Sequence, residues 1–230
     1  MAKQNVQKDE ERLESIESTL GKTEMFIENY KKTITTVVVV IVVVVLAIFG
    51  VKKYYIEPRE QEAQLAIFRA EQLFENDDYA TALNGDGNNM GFMDVINEYG
   101  NTKTGNLARY YAGICYLNTG DYQSAIKYLG EFKSKDHLVK PLATGAMGDA
   151  YMELGNTAEA ARCYEKAANE SKNSFTSPMM LVKAGFAYEM IEDYQKALEM
   201  YQIIKAEYPN SNEGFVVDKN IAMVETKMAR

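Results

Sequence analysis

Polarity changes character twice along this chain. Residues 1–32 are polar and charged, Thr33–Val51 carries no charge, and from residue 52 onward apolar positions recur every three to four residues. In the first stretch Val6, Leu13, Ile16 and Leu20 follow a loose seven-residue spacing that predicts a short amphipathic helix ending at Gly21. Two heptads are marginal as a helix in water, so a frayed tail is the competing reading. Asp9, Glu10, Glu11, Glu14 and Glu17 make an anionic lipid surface a poor target for it. The uncharged run TITTVVVVIVVVVLAIFGV is nineteen residues long, about 28 Å at helical rise and close to the depth of a bilayer core. Its β-branched content suits a strand, but strands usually end after about 4–8 residues, and a soluble domain would not expose such a run. It predicts a transmembrane helix, 33–51. Tyr30, Lys31 and Lys32 on one side, with Lys52, Lys53, Tyr54 and Tyr55 on the other, are the snorkelling cations and interfacial aromatics such a span uses.

Beyond the span the period is helical. A linker or helix extension, 52–62, leads through Pro58, a residue that interrupts a helix or sits in its first turn. Ala63, Ile67, Ala70, Leu73 and Phe74 then form one apolar face. Farther on, a glycine, a tyrosine three residues later and an alanine nine residues after that occur three times: Gly113/Tyr116/Ala125, Gly148/Tyr151/Ala160 and Gly185/Tyr188/Ala197. The copies are offset by 35 and 37 residues, a period that marks stacked helix pairs. In the middle copy Ala143, Ala146, Met147, Ala150 and Tyr151 predict a helix over about Leu142–Leu154, ended by Gly155. Thr157 is the expected cap of the next helix, which carries Ala160, Tyr164, Ala167 and Ala168. Glycine inside a helix costs about 1 kcal/mol against alanine. Three such glycines at one position imply a close helix approach, with Ala125, Ala160 and Ala197 expected opposite them.

The pattern divides the chain into a degenerate unit at 63–105, regular units at 106–140, 141–177 and 178–212, and a capping helix within 213–230. The degenerate unit pairs the 63–75 helix with Asp78–Leu83 and Met90–Tyr99, interrupted by Asn84-Gly85-Asp86-Gly87-Asn88-Asn89. The last helix is predicted over Glu213–Met228, with Val217, Ile221, Val224 and Met228 as its seam. The fold class is therefore all-α: one transmembrane helix, then an α-solenoid of helix hairpins closed by a C-terminal helix.

Composition narrows the chemistry. The chain carries a formal net charge of −8. Residues 52–230 hold 19 basic against 26 acidic residues, a net of −7 with no basic stripe, which argues against nucleic acid. Cys115 and Cys163 are too few for a disulfide framework; they read as packed thiols, with a mutual disulfide the alternative in an oxidising compartment. The single histidine, His137, lies in a charged turn without a second ligand or a nucleophile near it in sequence. The Gly/Asp/Asn loop satisfies no register of an EF-hand, which needs glycine sixth and a bidentate glutamate twelfth. No catalytic residue, cofactor site or metal site is expected. A cleaved signal peptide would want a short basic leader and a small-x-small site, whereas 32 mostly polar residues precede this run and Ala47-Ile48-Phe49 is no such site. An uncleaved signal-anchor is the expectation. Six Lys/Arg precede the span and four follow within residues 51–70, a bias toward a cytoplasmic N-terminus and an exported C-terminal domain.

The three units resemble the tetratricopeptide repeat (TPR). The matching residues are Gly113, Tyr116, Gly120, Tyr122, Ala125 and Leu129; then Met147, Gly148, Tyr151, Gly155, Ala160, Tyr164 and Ala167; then Gly185, Tyr188, Tyr194, Ala197, Tyr201 and Pro209. The chain departs from the pattern in having no tryptophan, in Phe132, and in ending only the third unit with proline. The resemblance implies a concave face lined by the first helix of each unit. On it would lie Leu107, Tyr110, Ile114 and Leu117; Leu142, Gly145, Asp149 and Met152; and Met179, Val182, Phe186 and Glu189. TPR receptors for heat-shock protein tails use a Lys/Asn/Asn/Lys/Arg set there; Arg109 and Lys183 are the only cations on this face, which disfavours that role. An apolar segment of a client or partner protein suits the Met, Tyr and Leu content. Alternatively these side chains pack between units or lie under the terminal helix.

The whole layout resembles the YfgM-like family of single-span bacterial proteins. The resemblance rests on Glu24–Lys32 (EMFIENYKK), on Ala63–Phe74 and on Tyr99–Gly113 (YGNTKTGNLARYYAG). It implies an inner-membrane protein with a periplasmic TPR domain, associated with the Sec translocon, periplasmic chaperones and exported clients; the lack of any catalytic constellation separately predicts a protein that is not an enzyme. A structural component of an envelope machine, for secretion or motility, is the other expectation the layout raises.

Overall fold

Residues 30–229 are described by the computed structural model; the amphipathic stripe Val6–Leu20 and the stretch 24–29 lie outside them. Two units are distinguished, meeting between Glu57 and Pro58.

In the first unit residues 30–51 form a helix, α1, followed by a π-helical turn at Lys52–Ile56. It is long and apolar enough to cross a membrane, and its apolar window is wholly unburied by protein. Its threonines do not leave hydroxyls stranded among valines. Thr35 and Thr36 donate to the carbonyls of Lys31 and Lys32 at 2.7 and 2.9 Å, the back-bonding that lets hydroxyls sit in an apolar helix. Lys53 lays its ammonium 5.9 Å from the centre of the Phe49 ring, as a snorkelling lysine does.

The second unit is all-helical among the described residues. Its helices are α2 (Glu57–Glu75), α3 (Tyr79–Asn84), α4 (Phe92–Tyr99), α5 (Lys103–Thr119), α6 (Tyr122–Glu131), α7 (Val139–Glu153), α8 (Thr157–Ser171), α9 (Thr176–Met190), α10 (Tyr194–Glu207) and α11 (Val217–Met228). Consecutive helices pack as hairpins: α5 with α6, α7 with α8, and α9 with α10; α2 shares one buried cluster with α3, α4 and α5. Pro58 follows closely on the π-helical turn Lys52–Ile56, where the backbone already departs from the i→i−4 ladder that a proline cannot join.

The same turn closes four of these pairs. Asp78, Asp121, Asn156 and Asp193 donate their amides to the carbonyls of Leu73, Tyr116, Tyr151 and Tyr188 at 2.9–3.0 Å. In each, the residue just before is left-handed: Asp77 (φ 59°), Gly120 (87°), Gly155 (73°) and Glu192 (60°). Three of the four then cap the next helix, Asp78 accepting from Thr81, Asp121 from Ser124 and Asp193 from Lys196. The expected cap of α8, Thr157, is instead its first residue; Asn156 takes the cap position and makes no side-chain bond.

Helix starts between repeats follow another local rule. Asp136 accepts the amides of Leu138 and Val139 at 2.8 and 2.9 Å. Asn173 accepts those of Phe175 and Thr176 at 2.9 and 2.7 Å. Pro141 and Pro178 follow five residues after these acceptors, inside the first turns of α7 and α9. The Asp136 cap starts α7 at Val139, one turn before the predicted Leu142. The opposite correction applies to α11. Residues 213–216 form turns around the Ser211 hydroxyl, which accepts from Gly214 at 2.9 Å, and the helix begins at Val217. Along its seam Val217 and Val224 are buried, Ile221 is half-buried and Met228 is exposed.

The repeated glycines do mark close approaches, but the partner is not the alanine. A Cβ on Gly113 would meet Leu129 at 2.5 Å, one on Gly148 would meet the Tyr164 ring at 2.6 Å, and one on Gly185 would clash with the edge of the Tyr201 ring. Each partner lies sixteen residues on, one turn beyond Ala125, Ala160 and Ala197, which are themselves fully buried. The glycine is a notch for a bulky side chain of the second helix.

Two stability predictions follow from this geometry. Gly148→Ala gains helix propensity but drives a methyl into a ring fixed at its hydroxyl; a net loss of about 1–2 kcal/mol is expected. Gly145→Ala, which meets only the flexible end of Met180, should cost less, and urea unfolding of the two variants would show whether that order holds. Glu192→Gly removes a left-handed strain from an exposed turn and should stabilise by about 0.5–1 kcal/mol, against no gain if the turn tolerates glutamate freely.

Candidate functional site

The first helices of the repeats, α5, α7 and α9, carry the positions expected to face a ligand. Leu107 is half-buried and borders a cleft of about 380 Å³ with Glu60, Gln64 and Lys103. Tyr110 places its ring 5.4 Å from the tilted ring of Phe132 and 5.7 Å, edge to face, from Tyr111. With Ile114 and Leu117 it packs beside the buried Ala143, Ala146 and Ala150 of α7. Leu142, Met152, Met179 and Val182 are half-buried against the cluster built by α8–α11, and Gly145 makes room for Met180. Phe186 is the most open of the set, 49% exposed, with its ring edge toward Tyr201.

The acidic positions are committed to neighbours that sequence reading did not identify. Asp149 accepts the Tyr164 hydroxyl at 2.6 Å and the Lys183 ammonium at 2.8 Å. Glu189 accepts the Tyr201 hydroxyl and the Lys227 ammonium, each at 2.7 Å. The lysines also lie over aromatic faces, Lys183 at 5.5 Å from Tyr164 and Lys227 at 5.8 Å from Tyr194. Each acid thus joins the tyrosine of its own hairpin to a lysine 34 or 38 residues on, about one repeat away. Through Lys227, α11 reaches the first-helix face at Glu189. A third carboxylate, Glu170, is nearly buried and accepts from Thr144 at 2.9 Å, with Lys140 at 3.6 Å. The spacing of Asp149 and Lys183 by one repeat was the available signal for the first pair. Nothing local announced Lys227 or Glu170.

Both cations of the expected face are engaged as well. Arg109 donates to the carbonyls of Gly100 and Gly105 at 3.0 and 3.1 Å and lies 3.7 Å from Glu131. In the interrupting loop, Asp86 accepts from the Asn88 and Asn89 amides and from the Asn89 side chain at 2.8–3.1 Å. These bonds hold its carboxyl down at about 2. They use the carboxylate to shape the turn that Gly85 and Gly87 allow with φ of 82° and 86°. Glu60 caps α5 from another helix, accepting from the Lys103 amide at 2.7 Å and the Thr104 hydroxyl at 2.8 Å. Burial opposes its ionisation, yet those hydrogen bonds leave its pKa lowered.

Cys115 is buried and Cys163 half-buried, and both are free thiols. Burial raises both, Cys115 to about 12, so neither is a ready nucleophile. His137 contributes its carbonyl, which accepts from Ser171 at 2.7 Å and Asn173 at 3.1 Å, while the residue stays exposed. Among the described residues no group of three or more His, Cys, Asp and Glu side chains could hold a metal ion.

The tyrosine–carboxylate bonds predict an alkaline weakness. Burial first, then hydrogen bonds to Asp149, Glu165 and Glu189, raise the pKa values of Tyr164, Tyr188 and Tyr201 above the ordinary tyrosine range. Below the unfolded value of about 10 the phenols are protonated in both states and their full contribution is present. Above it the unfolded chain loses protons that the folded chain retains, so stability falls as pH rises. Urea unfolding on either side of that value should show the fall. Tyr164→Phe together with Tyr201→Phe should flatten it, and a flat profile in the unmodified protein would contradict the arrangement.

Models of the tetratricopeptide repeat match residues 107–136, 142–174 and 180–211. Each match covers one regular hairpin, α5–α6, α7–α8 or α9–α10. No curated protein matches the chain.

Proposed function

We propose that this chain is a membrane-anchored scaffold whose tetratricopeptide repeats hold a segment of a protein partner. The observation that carries the reading is the pairing of three matched TPR hairpins with an exposed apolar helix long enough to span a membrane. TPR hairpins are non-enzymatic interaction modules, and the helix fits a single-pass anchor.

The proposed contact face is the first-helix surface. Leu107, Tyr110, Ile114, Leu117, Met152, Met179, Val182 and Phe186 supply apolar and aromatic area, and Asp149 and Glu189 supply polar edges. Phe186 is the first anchor we assign, because its ring is half open while the others are partly used between repeats. The partner chemistry is an apolar segment with aromatic or aliphatic anchors.

The specific form we propose is an inner-membrane protein with a cytoplasmic N-terminus and a periplasmic repeat domain, serving the Sec translocon and exported clients as an ancillary factor. Its support is the positive bias ahead of the span and the resemblance of the pre-span and post-span stretches to the YfgM-like family. The net −7 of residues 52–230 supports a protein partner over nucleic acid.

Crosslinking the tagged protein in native membranes, then identifying what copurifies while testing the tag's protease accessibility, checks both parts. Translocon subunits together with an exported repeat domain are the expected result. A stoichiometric set of other envelope proteins would instead make it an assembly component, and a domain protected on the cytoplasmic side would overturn the export role. Phe186→Glu should abolish partner capture without unfolding. Tyr110→Ala should weaken capture too, but it also strips a ring contact from Phe132, so its folding must be checked first.

A further inference from the structure

One cleft of the repeat unit is lined by none of the residues proposed above. It encloses about 600 Å³ between the α4–α5 turn and the end of α6, and is lined by Asn101, Lys103, Asn106, Arg109, Glu131 and Lys133 among others. Three cations face one carboxylate in it, inside a domain that is acidic as a whole. The walls are fixed. Asn106 donates to the Lys133 carbonyl at 2.8 Å and accepts its amide at 3.0 Å, tying α5 to the segment after α6. Arg109 is held by two backbone carbonyls, and its side chain is only 21% exposed. Lys103 and Lys133 are different: both are exposed, and neither has an ion-pair partner among the described residues. The Arg109–Glu131 pair is long at 3.7 Å, and Glu131 is half open to solvent, so a competing carboxylate could displace it at little cost.

The amides at the start of α5 do not define this site. Glu60 already takes those of Lys103 and Thr104, and the Thr102 hydroxyl takes that of Gly105. What remains is a cleft lined by the half-buried Arg109 and by two exposed lysines without an ion-pair partner among the described residues. We infer that this cleft is a second docking site of the repeat unit, taking an acidic peptide segment of a protein partner. At least two carboxylates of the segment meet Lys103 and Lys133, and a third replaces Glu131 on Arg109. Asn101 lies beside them as a donor for the peptide backbone. The charge complements an acidic peptide segment of a partner, since Lys103, Arg109 and Lys133 line the cleft against the single carboxylate of Glu131.

The test uses the full chain in nanodiscs of zwitterionic lipid and a fluorescent oligo-glutamate peptide, read by anisotropy. Saturable binding that weakens steeply with added salt is expected. Lys103→Ala with Lys133→Ala should weaken it roughly tenfold. Glu131→Gln, which frees Arg109, should tighten it about threefold. The two lysines are exposed, so their removal should leave thermal unfolding unchanged and the loss can be read as lost contact. Phe186→Glu should leave oligo-glutamate binding intact, which keeps this site's failure distinguishable from failure of the apolar face. Equal binding of an oligo-lysine peptide, indifference to both substitutions, or binding of anionic vesicles but not peptide would overturn the inference.

Discussion

Each regular hairpin depends on one close approach, a helical glycine receiving the bulk of its neighbour. At Gly148 and Gly185 that bulk is a tyrosine ring, and at Gly113 it is Leu129. The missing methyl sets the distance between the two helices, and the ring fills the notch it leaves. Because the ring ends in a hydroxyl, filling the notch creates a new demand: a buried phenol requires an acceptor. Asp149 and Glu189 meet it. The cost of glycine in a helix is offset by a packed aromatic, and the aromatic in turn recruits a charge.

That charge links one repeat to the next. Asp149 draws Lys183 from the following hairpin, and Glu189 draws Lys227 from α11. The closing helix thus uses the same kind of contact that joins α7 to α9, and ends the array by supplying the last lysine. The first regular hairpin stands apart, since Leu129 has no hydroxyl and needs no acceptor. Its first-helix face therefore stays apolar, with Tyr110, Ile114 and Leu117 packed beside α7. The surface proposed for a partner is apolar at one end and threaded with neutralised charge at the other. An arriving segment meets area and shape along it before it meets net charge.

The apolar helix α1 solves a different problem. Nineteen residues without charge are left uncovered by the described residues; their side chains stand open along the helix, and the only hydroxyls among them, on three threonines, include two turned back onto the backbone. Hydrocarbon is the environment in which such a helix is satisfied. In the repeat unit water and protein share the work, and exposed cations such as Lys103 and Lys133 remain available for partners.

Much of this was legible in the chain itself. The apolar run, the helical period, the three glycine–tyrosine–alanine copies and the hairpin turns are properties of neighbours within one or two helices, where spacing alone decides the face a residue takes. The all-α solenoid follows from them. Boundaries shifted where a side chain acted on nearby backbone: Asp136 started α7 a turn early, and the Ser211 turn delayed α11 to Val217. Only the tertiary structure decided which side chain fills each glycine notch, which lysine answers each acid, and that Lys133 and Lys103 share a cleft. Those are contacts between residues 16 to 38 positions apart, and periodicity marks a buried face without naming the residue pressed against it.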